Sequence, residues 1–283
     1  MPAEQIAENL AFINWTVLTG LAVGSLWAAA LGRLYTQATK GYLGFVALSA
    51  AVLAVLAAFS DWALPGVQLG TAAPTAAFHT TSSWDLPRQA GLWLLAGLAL
   101  VYAVALLRGR RAPWVAWAGI AVGVEVLGAA ALSWGGDLLG SALLLMQLAI
   151  LAAATGGVWA AMILGHWYLV TPKLPEAPLV RFARTLGLVV AVQVGLFVVW
   201  TAVGAGPGGQ PGFGALGGSW ALFVWLRLIV GLAMPLVITW AALQTARTRS
   251  MESATGLLYI DVGLIAAGTI LAAGLYFGAG LLV

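Results

Sequence analysis

The sequence predicts an all-α integral membrane protein: eight transmembrane helices forming two four-helix bundles, with both termini outside (N-out/C-out). Three observations predict it. The 283-residue chain is 62% hydrophobic and only 7% charged, against about 25% charged residues in soluble domains, and its mean hydropathy is +1.00. Ten of its twelve Lys and Arg residues sit in four short connections: Arg33 and Lys40; Arg108, Arg110 and Arg111; Lys173, Arg181 and Arg184; Arg247 and Arg249. These connections alternate with acidic or neutral ones, so the basic loops belong in the cytoplasm and the termini outside.

About 20 apolar residues cross a hydrocarbon core of roughly 30 Å, and each span follows from that length. The first, at 12–32, follows a tail with Glu4 and Glu8, which lacks the basic start of a cleavable signal peptide and suits outward translocation. The second, at 41–59, begins past Lys40 and ends near Trp62. The third, at 89–107, opens after a long connection, Ser60–Arg88, that holds Asp61, Pro65, Pro74, His79, Trp84, Asp85 and Pro87. Loops of that length are commonly functional. The fourth, at 114–134, runs from Trp114 and Trp117 to Trp134, and the fifth, at 141–166, ends in Gly165-His166-Trp167-Tyr168, with Pro172 and Pro175 stiffening its exit. The sixth, at 184–203, leads into the Gly/Pro-rich stretch Gly204–Gly218. The seventh, at 220–244, has Pro235 as the one proline interrupting a span interior, and the eighth occupies 256–280. Trp and Tyr at most ends form the expected aromatic belts.

An internal repeat divides the chain at 1–136 and 137–283. An offset of 133 lays Gly24, Ala28, Leu31, Gly32, Tyr35 and Lys40 over Gly157, Ala161, Leu164, Gly165, Tyr168 and Lys173, with Arg33 opposite His166. Trp93 falls opposite Trp225, and Glu125 opposite Asp261, at nearly the same spacing. An even number of spans in each half gives both the same orientation, related by an axis along the membrane normal. Gly20, Gly24, Ala28 and Gly32 in the first span, and Ala153, Gly157, Ala161 and Gly165 in the fifth, recur every fourth residue. Such stripes let helix backbones approach closely; the alternative is room for a flat cofactor or a lipid tail.

Charge at mid-bilayer costs at least a few kcal/mol, so polar residues inside spans are the candidate site. Glu125 lies about 16 Å into the fourth span at 1.5 Å per residue, and Arg227 in the seventh is read as reaching it in a structural ion pair. The other reading makes Glu125 and Asp261 proton-exchanging catalytic carboxyls. Gln147 and Gln193 can join that cluster by hydrogen bonding. On the cytoplasmic side, His166, Trp167, Tyr168, Arg33, Tyr35 and Tyr259 form a candidate cofactor-binding group, in which a quinone carbonyl accepts from His or Tyr and protons arrive through Asp261. Its bland counterpart is a ring of interfacial anchors snorkelling to water.

Several chemistries are excluded or disfavoured. The absence of cysteine removes disulfides and iron–sulfur clusters ligated by this chain. His79 and His166 fall on opposite sides of the membrane, which argues against a bis-His haem; a single-His haem stays open. No metal-ligand motif is present, no lysine within a span offers a retinal Schiff base, and basic residues divided among loops do not make a nucleic-acid surface. Gly204-Ala-Gly206-Pro-Gly-Gly209 matches the dinucleotide fingerprint only formally, because no strand precedes it.

Eight spans in two bundles, no haem ligand pair, no cysteine and buried acids together resemble the haem-free quinone-interacting membrane subunits of the polysulfide-reductase (NrfD-like) type. The resemblance is one of topology over the whole chain and carries no residue motif. It implies quinone as redox partner and a soluble or peripheral electron-transfer partner docked on one face. The expectation is therefore a haem-free membrane subunit of a respiratory or photosynthetic electron-transfer assembly in the plasma (inner) membrane, handling quinone or protons. Partner subunits would dock on loops 60–88 or 167–184. The alternatives are a small-solute or ion transporter with a midplane acidic site, and a structural or assembly subunit.

Overall fold

The computed structural model describes residues 1–65, 78, 80–171 and 174–283. Among the described residues, eight helices are long and apolar enough to cross a bilayer: Leu10–Tyr35, Lys40–Trp62, Asp85–Leu107 (led by a 3-10 turn, Ser82–Trp84), Pro113–Trp134, Leu138–Val170, Ala177–Val203, Ala221–Arg247 and Met251–Ala279. They match the eight expected spans in order and are called the first to eighth spans. A short helix, Pro2–Glu8, precedes them, and among the described residues there is no strand.

The helices overrun the apolar windows mainly where the basic residues lie. Arg33 sits inside the first span, and Arg181 and Arg184 sit inside the sixth. Hydropathy measures the width of the hydrocarbon, whereas a helix continues until its backbone is capped. Caps do set several ends. The Thr39 hydroxyl accepts from the Tyr42 N–H, Asp137 Oδ1 accepts from the Gly140 N–H at 2.6 Å, and Gly204 and Gly280 close their helices with φ of 69° and 67°.

Packing runs first to second, second to third, third to fourth and back to the first; the fifth to eighth spans close on one another in the same cyclic order. The first and fifth spans form the principal contact between these groups, with the first also touching the eighth and the fourth touching the fifth. At the crossing the backbones meet. A Cβ on Gly24 would lie 1.8 Å from the Ala152 carbonyl oxygen, and one on Gly156 would lie 2.0 Å from the Gly24 carbonyl carbon.

The fifth span therefore meets the first through Ala152, Thr155 and Gly156, one residue away from the expected stripe of Ala153 and Gly157. One residue is about 100° of helix rotation. Ala153 and Gly157 are turned instead toward the sixth span, where a Cβ on Gly157 finds only Leu186 at 3.6 Å.

The seventh span is not a uniform α-helix. A π-helical turn, Ile229–Ala233, separates Ala221–Leu228 from Met234–Arg247. It lies where the backbone comes close to the eighth span: a Cβ on Gly231 would be 2.6 Å from Gly268 Cα.

Candidate functional site

Two arginines fall outside the basic connections, Arg88 and Arg227, and both are buried and hydrogen-bonded. Arg227 is 2% exposed. Its Nη2 donates to Gln193 Oε1 at 2.9 Å and its Nη1 donates to the Gly231 carbonyl at 3.2 Å. The second bond has a local cause. Pro235 has no N–H, so the Gly231 carbonyl four residues earlier loses its α-helical donor, and in a bilayer such a freed group must be satisfied internally. The guanidinium does so. Gln193 in turn donates to the Ile150 carbonyl at 3.2 Å, and Gln147 donates to the Ala272 carbonyl at 3.4 Å.

The ion pair expected between Glu125 and Arg227 is therefore not formed. The fourth span packs on the first, third and fifth, while Arg227 points into the sixth-to-eighth interface. Glu125 is exposed on its span, with its carboxylate against Gly91 of the third span: a Cβ there would lie 2.3 Å from Glu125 Oε2. Among the described residues it has no hydrogen-bond or ion-pair partner.

Asp261 is fully buried between the seventh and eighth spans. Its Oδ2 accepts from the Thr239 hydroxyl at 2.5 Å, and its Oδ1 has no partner among the described residues. Seven residues further along the eighth span Gly268 touches Arg227, about 10 Å away at 1.5 Å per residue. Asp261 with Thr239, Arg227 with Gln193, and Gln147 thus succeed one another through the interior of the second four spans.

The group expected on the basic side does not converge. His166 and Tyr259 do meet, with the tyrosine hydroxyl 3.4 Å from Nδ1, both exposed. Asp261, two residues past Tyr259 and so about 200° around the helix, faces the opposite way. Trp167 covers Gly41 and packs edge-on to Tyr42, with ring centroids 6.5 Å apart. Tyr168 is buried, its hydroxyl donating to the Pro175 carbonyl. Tyr35 is exposed, and its carbonyl accepts from Arg181. Arg33 is half-buried, with an Nε that has no partner among the described residues. His166, Trp167 and Tyr168 are consecutive, so a helix sends them in three directions whatever their shared depth.

A second polar centre lies at the other end of the first four spans. Arg88 bonds Asp61 Oδ1 at 2.6 Å, Asp85 Oδ1 at 2.8 Å and the Ser133 hydroxyl at 3.0 Å, with its guanidinium 5.0 Å from the Trp134 ring centroid. Beside it Phe12, Trp15, Phe78, Trp134, Tyr276 and Phe277 form an edge-to-face aromatic cluster. The sequence did flag the Ser60–Arg88 connection and the charge pattern isolates Arg88, but only the fold shows that it gathers three partners. His79 lies outside the described residues, as do Pro172 and Lys173.

No protein-family model matches the chain, and no curated protein is similar enough in sequence to match it.

Proposed function

We propose that this chain is a haem-free membrane subunit of an electron-transfer assembly that handles protons through its second four spans, with quinone as the redox partner. The observation that carries the reading is Asp261. A lone carboxyl enclosed in the interior, held by one hydroxyl and without a counter-cation among the described residues, is a group suited to taking and giving a proton. The Arg227–Gln193 and Gln147 positions continue a polar route away from it.

His166 and Tyr259, side by side on the exposed face at the basic end, offer hydrogen bonds to a quinone carbonyl arriving from the bilayer. Glu125, exposed within its span, is a second carboxyl that a membrane-dissolved quinone can reach. In this reading the basic connections are cytoplasmic, the membrane is the plasma (inner) membrane, and partner subunits dock on loops 60–88 or 167–184. The two halves, 1–136 and 137–283, are copies of one parallel repeat; the identical cyclic order of packing within them supports this. Unlike environments at Glu125 and Asp261 then mark where the copies diverged in use.

One observation favours a transporter as the second reading. The π turn beside buried Arg227 interrupts the seventh span, and broken helices often build substrate sites.

Isolation in mild detergent separates the two. The proposal expects partner chains and bound quinone in the purified material, and, in proteoliposomes of the whole assembly, uptake of two protons per quinone reduced by electrons from the partner chains, lost in Asp261→Asn. A chain that purifies alone without quinone, and is stabilised by a small solute, overturns it.

A further inference from the structure

A groove of about 450 Å³ opens between the first, fifth and sixth spans, within the roughly 300–1,000 Å³ range of small-molecule sites. Its floor is Gly24, Ala28 and Gly32 from the first span with Ala153 and Gly157 from the fifth, and Leu186 and Val189 line its wall. Polarity is confined to one end, where Tyr35, Thr36, Arg181, Arg184 and Thr185 surround the mouth. Among the described residues, no carboxylate lines the groove. Arg181 spends one donor on the Tyr35 carbonyl, and Arg184 is exposed without a hydrogen-bond or ion-pair partner among the described residues.

The geometry points to a binding site for an anionic phospholipid, its phosphate on Arg181 and Arg184 and one acyl chain lying along the Gly24–Gly157 floor. Three features argue for this occupant. The groove is apolar along its length and cationic only at its mouth, which is the charge distribution of an anionic amphiphile reversed in sign. The arginines sit where the sixth span emerges among the other basic residues, so a headgroup bound there lies at the level of one leaflet's phosphates. Basic pockets between transmembrane helices are also a recurrent way of holding such headgroups. The close crossing of the first and fifth spans at Gly24 and Gly156 fixes the floor, so the groove exists without its ligand. This inference does not depend on the quinone reading, and its test does not require turnover.

The test uses the purified full-length chain, with phosphatidylglycerol and phosphatidylcholine of identical acyl chains as probes, read by native mass spectrometry and by the thermal unfolding midpoint. Phosphatidylglycerol is expected to bind and raise the midpoint, and phosphatidylcholine to do neither. Arg181→Gln with Arg184→Gln should weaken binding about 30-fold, from about 1 kcal/mol for each basic residue at an anionic headgroup. Arg247→Gln, on the same side but away from the groove, should leave it unchanged. Gly157→Leu, whose Cβ has ordinary space against Leu186, should fill the groove and abolish binding. Equal binding of the two lipids, or phosphatidylglycerol binding unaffected by the double arginine variant, overturns the proposal. So does recovery of a quinone that Gly157→Leu displaces and the arginine variant does not.

Discussion

The link between Arg227 and Pro235 is open to a direct energetic test. Arg227→Met removes two hydrogen bonds from a charged donor, to Gln193 at 2.9 Å and to the Gly231 carbonyl at 3.2 Å. Bonds to charged groups are worth about 1.5–3 kcal/mol each in water-soluble proteins, and interhelical bonds in membranes average about 0.6 kcal/mol. A loss of about 2–3 kcal/mol is expected for the single variant. Pro235→Ala restores an N–H that can bond the Gly231 carbonyl within the helix, so the guanidinium is no longer needed there. In that background Arg227→Met should cost about 1 kcal/mol less, a coupling larger than the roughly 0.3–0.5 kcal/mol within which independent sites add. Gln193→Leu, which touches only the other bond, should show no such coupling to Pro235→Ala. Reversible unfolding in bicelles measures all five variants. Additivity of Arg227→Met and Pro235→Ala would refute the idea that the arginine caps the carbonyl the proline frees.

Further outcomes are expected from the same geometry. Gly24→Ala should destabilise by more than about 2 kcal/mol, because overpacking costs about 1–3 kcal/mol even where side chains can yield and here backbone meets backbone. Gly97→Ala, with nothing within 4 Å of its added Cβ, should instead stabilise by up to about 1 kcal/mol through helix propensity; the same unfolding assay compares them. Arg88→Met strands Asp61 in the interior and should cost about 3–5 kcal/mol, as for one partner lost from a buried pair, against about 1 kcal/mol for Ser133→Ala. A hydrophobic carbodiimide followed by peptide mass spectrometry should modify Glu125 and spare enclosed Asp261, and Glu125→Gln should leave the unfolding midpoint within error because no bond is lost.

Much of the molecule is legible in the residue order, and the site residues show where legibility stops. Depth along a span is a linear quantity. His166 and Tyr259 share a level in the sequence and meet in the fold. Direction around a helix is not linear in that sense, since each residue adds about 100° and a span of uniformly apolar residues has no polar face to set the phase. The fifth span illustrates this: Ala153 and Gly157 were the evident stripe, yet Ala152 and Gly156, themselves small, take the contact with the first span. The Glu125–Arg227 pair failed for a related reason. Both are long, charged and well inside their spans, but the order of packing puts them on different sides of the molecule.

The sequence by itself determined that eight segments are long and apolar enough to cross a membrane, where each lies, and that Arg88 and Arg227, of twelve Lys and Arg residues, fall outside the four basic connections. Hydrocarbon thickness and the cost of burying charge act on each segment separately, so no neighbour is needed to read them. Only the tertiary structure decided which helices touch, that Arg227 serves Pro235 and Gln193, that Arg88 unites Asp61, Asp85 and Ser133, and that Asp261 is enclosed while Glu125 is exposed. Those outcomes depend on the rotation of each helix against its neighbours, which is fixed by backbone approach at Gly24, Gly156, Gly231 and Gly268. That is a property of pairs of surfaces, carried by no single segment.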